Sequence, residues 1–386
     1  MELKEVVILA CGRSAIGKAI KGSLKNEHPV ENGAQILRGV LDRVPDLDRN
    51  DIEDVVIGCA RHLEKQGKNM ARLIALRAGL PNTVCGQTIN RFCSSGLQAV
   101  ATAANAIACG QMNVVVAGGV ETMNADSVKP DKPNEVPWLI ENVNVYIPMG
   151  MTAENVAKAY GITREEMDAF AVESHRKATA AREAGKFKKE IVPMQVKNEA
   201  GEMVTFDTDE CIRPNTTMEG LANLKPCFIP DTGLVTAGTA SQMSDGAAMV
   251  VMASREYADA HGLKPLARFV GFAVVGVDPT MMGIGPMKAV PKVMAATGLT
   301  VQDMDVIEIN EAFAAQAIPC IRELGMDMSK VNPNGGAIAL GHPLGATGSI
   351  LICKALSELE RTGGRYGLVT MCVGLGMGAA GIIERL

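Results

Sequence analysis

Residues 84–110 join a strand-like run to a helix-like run, and this change of pattern strongly constrains the fold. Residues 84–89 form a β-like run, with apolar side chains and a threonine. In residues 97–108 the apolar positions recur at spacings of three and four, which predicts a helix with one buried face. Gly110 stands where a glycine commonly ends a helix. Cys93 therefore falls at a strand-to-helix corner.

The position of Cys93 has chemical meaning. The unpaired backbone N–H groups of a first helical turn, together with the helix dipole, favour an anion. They can lower the pKa of a thiol from ~8.5 to ~3.5–7.5, and the small residues 94–96 leave room for a ligand. A free cysteine is often a small core residue instead. Because the chain has ten cysteines, position alone leaves both interpretations open.

Composition excludes several classes of protein. The 386 residues are 47% hydrophobic, enough for a large core in two or three domains or subdomains. The 38 basic and 43 acidic residues give no basic surface for nucleic acid. No two cysteines have the C-x-x-C spacing, so we expect no metal site. We expect neither a signal peptide nor a membrane span, and the reduced thiols indicate the cytoplasm.

Strand-like and helix-like segments alternate along the chain, which predicts a parallel or mixed sheet covered on both faces. The predicted strands are residues 5–10, 54–58, 113–117 and 247–252, and a turn is expected at 11–14. The predicted helices are residues 32–47, 68–78, about 163–184 and about 348–359.

The last third of the chain resembles the first in the order of its motifs. Residues 54–59 resemble 305–310, and residues 114–120 resemble 368–374. The Cys93 corner likewise resembles residues 335–342 and the helix that follows them. Matches in the same order indicate an internal duplication. The sequence therefore predicts a layered α/β fold with two pseudo-symmetric halves.

The predicted domains follow from this duplication and from a change of composition after residue 120. The first half covers residues 1–120 and is completed by about 236–265, and the second covers residues 266–386. Residues 121–235 form an inserted domain, in which residues 128–137 have loop composition. Residues 163–166 (Thr-Arg-Glu-Glu) have the pattern of a capping box.

Three residues of the second half are candidates for chemistry. Asn310 follows a buried strand, His342 lies in a glycine-dense loop, and Cys372 is followed by alternating glycines. Glycines permit close approach of a ligand to the backbone. If the halves are pseudo-symmetric, their equivalent corners should meet, which would bring these residues to Cys93.

The sequence resembles the thiolase family from end to end. The motifs that carry the resemblance are residues 90–96, 237–241 with 244–247, 310–313, 335–345 and 372–378. The resemblance implies a layered αβαβα fold and acyl transfer between coenzyme A thioesters, with an inserted CoA-binding loop domain.

The resemblance also implies roles for the residues of the site. Cys93 would attack a thioester and hold the acyl group covalently. His342 would be its base, and Cys372 would move the proton at the α-carbon. Asn310 would hold a water that stabilises the enolate, and the backbone N–H groups of Cys93 and Gly374 would bind the tetrahedral oxyanion.

Further implications concern ligands and assembly. Ser241 would touch the pantetheine arm of CoA, and Arg213 would touch its adenine end. CoA and acyl-CoA are substrates in this scheme, so no cofactor is expected. A homodimer or homotetramer is implied, with residues 114–117 and their neighbours as candidates for the interface.

Positions at which the sequence differs from the usual family pattern indicate which branch of the family it resembles. Pro148 replaces a histidine usual in the biosynthetic branch, and residues 123–146 are shorter than the oligomerisation loop of that branch. The sequence resembles the degradative 3-ketoacyl-CoA thiolases at five positions, which are Arg91, Phe92, Thr239, Ser244 and Leu375. A degradative enzyme or one with broad chain-length preference is therefore predicted, with a dedicated acetoacetyl-CoA thiolase as the alternative.

Two other classes stay open at this stage. A decarboxylating ketosynthase of the same superfamily would lack the second cysteine, so Cys372 argues against it. A non-catalytic acyl-CoA or lipid binder would have lost the nucleophile or the base. Cys93 and His342 are both present, which argues against a binder.

Overall fold

The computed structural model describes residues 3–124 and 135–386. Its strands are β1 (Val6–Arg13), β2 (Gly17–Lys18), β3 (Asp54–Gly58), β4 (Cys85–Ile89), β5 (Val114–Glu121), β6 (Met194–Lys197), β7 (Met203–Phe206), β8 (Ser244–Ser254), β9 (Ala267–Gly276), β10 (Val306–Ile309), β11 (Tyr366–Val373) and β12 (Met377–Arg385). Its α-helices are α1 (Pro29–Leu41), α2 (Met70–Arg77), α3 (Ser95–Ala108), α4 (Pro137–Asn142), α5 (Met149–Tyr160), α6 (Arg164–Glu183), α7 (Met218–Ala222), α8 (Arg255–Ala260), α9 (Gly285–Thr297), α10 (Ala314–Glu323), α11 (Ala337–Leu340) and α12 (Leu344–Thr362).

The main sheet shows the predicted duplication in its strand order, β10-β11-β12-β9-β1-β8-β5-β3-β4. In the first half β3 and β5 are parallel, whereas β5–β8 and β8–β1 are antiparallel. The second half repeats this pattern, with β10–β11 parallel and β11–β12 and β12–β9 antiparallel. The two half-sheets join where Val7 and Ile8 of β1 pair with Arg268 and Ala267 of β9.

Helices cover both faces of each half-sheet. Helices α3 and α12 pack against each other between the half-sheets, with α1 and α2 outside the first and α9 and α10 outside the second. The result is the predicted αβαβα layering. Small residues permit the close central packing, because a Cβ on Gly96 would lie 2.8 Å from the carbonyl oxygen of Gly345. Within the described ranges, no helix has both the length and the apolar character needed to cross a bilayer.

The turn predicted at residues 11–14 is wrong, because β1 continues to Arg13. Cys11 and Gly12 pair with Val250 and Met249 of β8. The charge of the fully buried Arg13 is neutralised by Glu190 and Asp209, which accept its hydrogen bonds at 2.8 Å each. Because the Arg13 guanidinium is paired with two carboxylates, it can be buried, and β1 extends through residues where the sequence pattern alone predicts a turn.

Two predicted helices also begin earlier than their apolar pattern indicates. Helix α1 begins at Pro29, because the Nδ1 atom of His28 accepts a hydrogen bond from Val30 N at 3.2 Å and caps the helix. Helix α12 begins at Leu344, directly after the His342 loop. The capping box of Thr163 and Glu166 begins α6, as predicted.

The segment between β5 and β8 contains α4 to α7 and the β6–β7 hairpin. Residues 125–134, which include most of the predicted loop 128–137 and part of the short segment 123–146, lie outside the described residues. Strand β8 then returns the chain to the first half-sheet, between β1 and β5.

The prediction that residues 114–117 lie at a subunit interface is wrong. They belong to β5, which lies inside the sheet between β3 and β8, and all four side chains have no exposed surface. The apolar pattern reflects burial on both faces of the sheet. The edge of the first half-sheet is β4, where Cys85 and Gln87 are exposed.

Candidate active site

The turn that carries Cys93 is held in an unusual backbone conformation by its own polar side chains. Phe92 has a φ of +42°, in the left-handed region that non-glycine residues rarely adopt. Asn90 Oδ1 accepts a hydrogen bond from Phe92 N at 2.7 Å. Ser95 Oγ accepts from Arg91 N at 2.9 Å and donates to Phe92 O at 2.6 Å. These bonds stabilise a strained corner, a feature common at functional sites.

Cys93 is partly exposed, and its sulfur receives hydrogen bonds from the backbone N–H groups of Gly374 and Cys93 itself. Burial among protein atoms raises the pKa of Cys93 to about 11, in spite of these bonds, and the Glu121 carboxylate adds to the rise. The lowered pKa expected from the helix terminus is therefore wrong for the free enzyme. Desolvation of a thiolate outweighs the helix dipole here.

His342 is nearly buried, with 5% of its surface exposed, and both of its ring nitrogens have protein neighbours. Nδ1 lies 2.6 Å from Thr347 Oγ1, and Nε2 lies 3.4 Å from Asn310 Nδ2. An amide N–H directed at Nε2 fits the tautomer with its proton on Nδ1, donated to Thr347. Burial lowers the pKa of His342 to about 4, so the ring is neutral at pH 7 and can accept a proton at Nε2.

Asn310 extends β10 toward His342, and its backbone N–H donates to Thr370 O on β11 at 2.9 Å. Its side-chain Oδ1 is buried and has no hydrogen-bond partner among the described residues. A buried amide oxygen without a partner is costly unless water or a ligand completes it. The Asn310 side chain is thus arranged to hold a further polar group beside His342.

Cys372 lies on β11 with no exposed surface and contacts Met282 and Ala312, with Met149 and Phe313 packed against them. Burial raises the pKa of Cys372 well above its usual value, and the neighbouring Cys93 contributes to the rise. This electrostatic coupling places the two sulfurs near each other in an apolar setting.

The loop after Cys372 completes the surroundings of Cys93. Leu375 and Gly376 have φ values of +64° and +80°, which turn the chain from β11 into β12. The turn presents the Gly374 N–H to the Cys93 sulfur and sets Gly374 against the ring of Phe92.

The five predicted catalytic residues thus come from both halves to one locality. Cys93 lies beside Gly374 and Cys372, while His342 lies beside Asn310, whose backbone is bonded to β11. The helix that follows His342 packs against the turn of Cys93. Equivalent corners of a duplicated fold meet here, as the pseudo-symmetry predicts.

Of the two predicted CoA contacts, Ser241 lies close to this locality and Arg213 lies further out. The backbone N–H of Ser241 donates to Ala312 O at 2.9 Å, and Ala312 packs against Cys372. Arg213 is exposed, and its Nη2 donates to Gln242 Oε1 at 3.1 Å. The carbonyl oxygen of Gln242 accepts in turn from His342 N at 3.1 Å, which links Arg213 to the histidine loop.

Two residues that sequence reasoning missed contact the site residues or the loops that carry them. Thr347, one turn along α12, contacts Nδ1 of His342. Glu121, at the end of β5, accepts hydrogen bonds from Ala60 N at 2.7 Å and from Gly345 N at 2.8 Å, and so ties the two halves together. Thr347 lies five residues after His342, near the start of the next helix. This spacing could have pointed to it, since a hydroxyl there can reach the histidine ring.

The fold brings two cysteines, a neutral histidine and an amide oxygen without a partner among the described residues into one locality, which suits acyl transfer, and comparisons with known proteins identify the class. The thiolase N-terminal domain matches residues 6–256, and the thiolase C-terminal domain matches residues 263–385. The chain therefore belongs to the thiolase family, and it is an enzyme that transfers acyl groups between CoA thioesters.

Similar proteins cover the whole chain. The chain is 49% identical to the 3-ketoacyl-CoA thiolase of Bacillus subtilis (strain 168), over 99% of this chain and 100% of the relative. It is 45% identical to the beta-ketoadipyl-CoA thiolase of Pseudomonas aeruginosa, with the same coverage. The crystal structure of the dimeric peroxisomal thiolase of Saccharomyces cerevisiae has a TM-score of 0.92 and 44% identity, over 99% of this chain and 98% of that one.

Proposed function

We propose that this thiolase cleaves 3-ketoacyl-CoA substrates that are longer than acetoacetyl-CoA. The observation that carries the proposal is the apolar wall of Met149, Met282 and Phe313 around Cys372. Methionine side chains adapt to irregular apolar ligands, which suits aliphatic chains of several lengths. The relatives named for 3-ketoacyl-CoA and beta-ketoadipyl-CoA support acyl groups of this size.

In the proposed mechanism, cleavage begins when the Cys93 sulfur attacks the 3-keto carbon. Because the pKa of Cys93 is raised to about 11 and that of His342 is lowered to about 4, a thiolate–imidazolium pair is unfavourable in the free enzyme. The thiol proton therefore passes to His342 Nε2 as the carbon–sulfur bond forms. The backbone N–H groups of Cys93 and Gly374 stabilise the resulting oxyanion.

The bond between C2 and C3 then breaks and leaves an acyl group on Cys93 and the enolate of acetyl-CoA. Cys372 donates the proton that converts this enolate to acetyl-CoA. A water held by Asn310 Oδ1, together with His342, stabilises the enolate oxygen; support comes from the missing protein partner of that buried atom. The thiol of CoA then gives its proton to Cys372 and its sulfur takes the acyl group, while His342 returns its proton to the departing Cys93 sulfur.

We also propose that CoA lies across Ser241 toward Arg213. The partly exposed Ser241 beside Ala312 and the exposed guanidinium of Arg213 support this direction, since a cation suits the phosphates of CoA. CoA and acyl-CoA are substrates, and the steps above require no cofactor.

The proposed assembly is a homodimer or homotetramer with contacts at the β4 edge rather than at residues 114–117. A sheet edge leaves backbone groups unpaired, and a second copy can complete them. The related yeast structure is described as dimeric. We further propose a cytoplasmic location, since all ten cysteines, each within the described ranges, are free.

The proposed domain division keeps the boundaries expected from the sequence, namely residues 1–120 with about 236–265, 121–235, and 266–386. The return of β8 to the first half-sheet supports this division, because the segment between β5 and β8 is then an insertion between two strands of the same half-sheet.

A chain-length series tests the substrate. Thiolysis of 3-ketoacyl-CoA esters of four to twelve carbons would be followed by the loss of their enolate absorbance. We expect kcat/KM to rise roughly tenfold or more from four to eight carbons, since each added methylene in an apolar pocket favours binding. A maximum at four carbons would instead identify an acetoacetyl-CoA thiolase. Met149→Phe should reduce kcat/KM only for the longer esters, and Met328→Phe, at an exposed position, is the matched control.

A further inference from the structure

A second pair of cysteines lies at a cavity that the acyl-transfer site does not use. The cavity has a volume of about 610 Å³ and is lined by Cys11 of β1 and Cys353 of α12, with Arg43, Lys189 and Lys264 among its other residues. None of the five proposed catalytic residues lines it. The cavity is large enough for a small peptide-like molecule.

The two thiols are adjacent although 342 positions separate them in sequence. Helix α12 packs against β1, Cys11 and Cys353 line the same cavity, and their side chains interact directly. Both cysteines are free. Cys11 retains 9% of its surface exposed, whereas Cys353 has none.

This difference in exposure assigns different roles to the two sulfurs. Cys11 is the sulfur that an incoming molecule can reach. The Arg43 guanidinium donates to Cys11 O at 2.5 Å and so places a positive charge beside the pair. Burial raises the pKa of Cys353 well above its usual value, and the adjacent Cys11 adds to the rise. Cys353 is therefore suited to react second, after Cys11 has formed a mixed disulfide with the incoming molecule.

We propose that Cys11 and Cys353 form a thiol–disulfide exchange site for small disulfides such as glutathione disulfide. The Cys11 thiolate attacks one sulfur of the small disulfide, which gives a mixed disulfide at Cys11 and releases one thiol. The Cys353 sulfur then attacks Cys11 and displaces the second thiol, as its proton passes to solvent. The net reaction converts two protein thiols and one small disulfide into one protein disulfide and two small thiols.

The test uses the intact enzyme in buffers with defined ratios of glutathione to glutathione disulfide. After acid quenching and alkylation, peptide mass mapping reports the state of each cysteine. A prior incubation with acetoacetyl-CoA acylates Cys93 and keeps it out of the reaction. We expect a Cys11–Cys353 linked peptide that increases with the proportion of glutathione disulfide and disappears on reduction.

The exposed Cys109 and Cys227 provide internal controls, since each should form only a mixed disulfide with glutathione. Cys353→Ser should accumulate a glutathione adduct at Cys11, because the second attack is lost. The proposal is overturned if Cys11 and Cys353 both remain alkylatable when Cys109 and Cys227 are fully modified. The wild-type mapping alone decides this, so the result does not depend on whether the variant folds.

Discussion

The corner of Cys93 and the corner of His342 occupy equivalent places in the two halves, yet their helix starts are used differently. At α12 the Gly345 N–H is already bonded to the buried carboxylate of Glu121, which comes from the opposite half. At α3 the N-cap residue Ser94 makes no side-chain capping bond. The start of α12 is thus completed by a carboxylate from the opposite half, whereas the start of α3 is completed by its own 3₁₀ turn, in which Ser94 N donates to Arg91 O at 3.0 Å.

This difference shows how the two halves of a duplicated fold can take different chemical roles. The carboxylate at α12 holds the His342 loop against the first half and brings a negative charge toward Cys93, whose pKa it raises. Burial, with a smaller contribution from this charge, raises the pKa of Cys93 to about 11, and burial lowers the pKa of His342 to about 4. Four changes test this contrast between the corners.

The largest effect should follow from Cys93→Ala, which removes the reacting group of the first corner. We expect thiolysis to fall roughly 10⁵-fold, as for the loss of a nucleophile in other enzymes of covalent catalysis. Mass spectrometry of the enzyme mixed with acetoacetyl-CoA should show no acyl adduct. An undiminished adduct on this variant would assign the nucleophile to another thiol.

Cys372→Ala should separate the two half-reactions. Acyl transfer to Cys93 from acetyl-CoA should persist, whereas condensation to acetoacetyl-CoA should fall roughly 10³-fold, because general acid–base catalysis at the α-carbon is lost. Adduct formation and condensation are measured separately, by mass spectrometry and by coupled assay. Equal loss of both would show that Cys372 does not act at the α-carbon alone.

Thr347→Val tests the second corner, since it removes the partner of His342 Nδ1. We expect kcat to fall about 10-fold to 100-fold with KM little changed, because an unpaired buried N–H costs about 1–3 kcal/mol. Thr347→Ser keeps the hydroxyl and should restore most of the rate. If valine and serine variants behave alike, the effect is one of packing and not of hydrogen bonding.

Glu121→Gln should have the smallest effect on turnover and tests the link between the corners. Its negative charge raises the pKa of Cys93, so its removal should lower that pKa and speed alkylation of Cys93 at pH 8. In the wild type, with a pKa of about 11, the logarithm of the alkylation rate should rise with a slope of about one from pH 7 to 10. A wild-type plateau near pH 7 would mean that the thiolate is already formed.

The same variant should lower the free energy of unfolding by about 1–3 kcal/mol, because the amide cannot accept all the hydrogen bonds that the carboxylate accepts. Urea unfolding at neutral pH measures this. Glu360→Gln is a comparison variant, since its carboxylate pairs with the exposed Lys189 and should contribute little.

Sequence periodicity was sufficient for several of the elements and for the internal repeat, but not for others, such as β9, β12 and the β6–β7 hairpin. The change of pattern before Cys93 predicts the corner that the structure shows, and the repeated motifs predict two halves with matching strand order. The boundaries of β1 could not be predicted, since Arg13 is admitted to the sheet only by the distant partners Glu190 and Asp209. Tertiary contacts override local pattern at such positions.

The site was predictable where residues stand within unusual local sequence, as with Cys93, His342 and Cys372. Glu121 was missed because its partners, Ala60 and Gly345, are distant in sequence, whereas Thr347 lies only five residues from His342 and was missed although its spacing was readable. The expected fall in the pKa of Cys93 failed for a related reason, since the amount of protein around a sulfur cannot be read from a helix start. The interface expected at residues 114–117 failed as well, since their burial inside the sheet becomes evident only from the strand order.

The placement of β8 has a consequence for synthesis on the ribosome. Strands β1 and β5 leave the ribosome early, but the strand that lies between them ends only at Ser254. Until then both strands present open hydrogen-bonding edges, and contacts over such long sequence separation form slowly. The nascent chain therefore has a long interval in which a chaperone that shields strand edges would raise the yield of native enzyme.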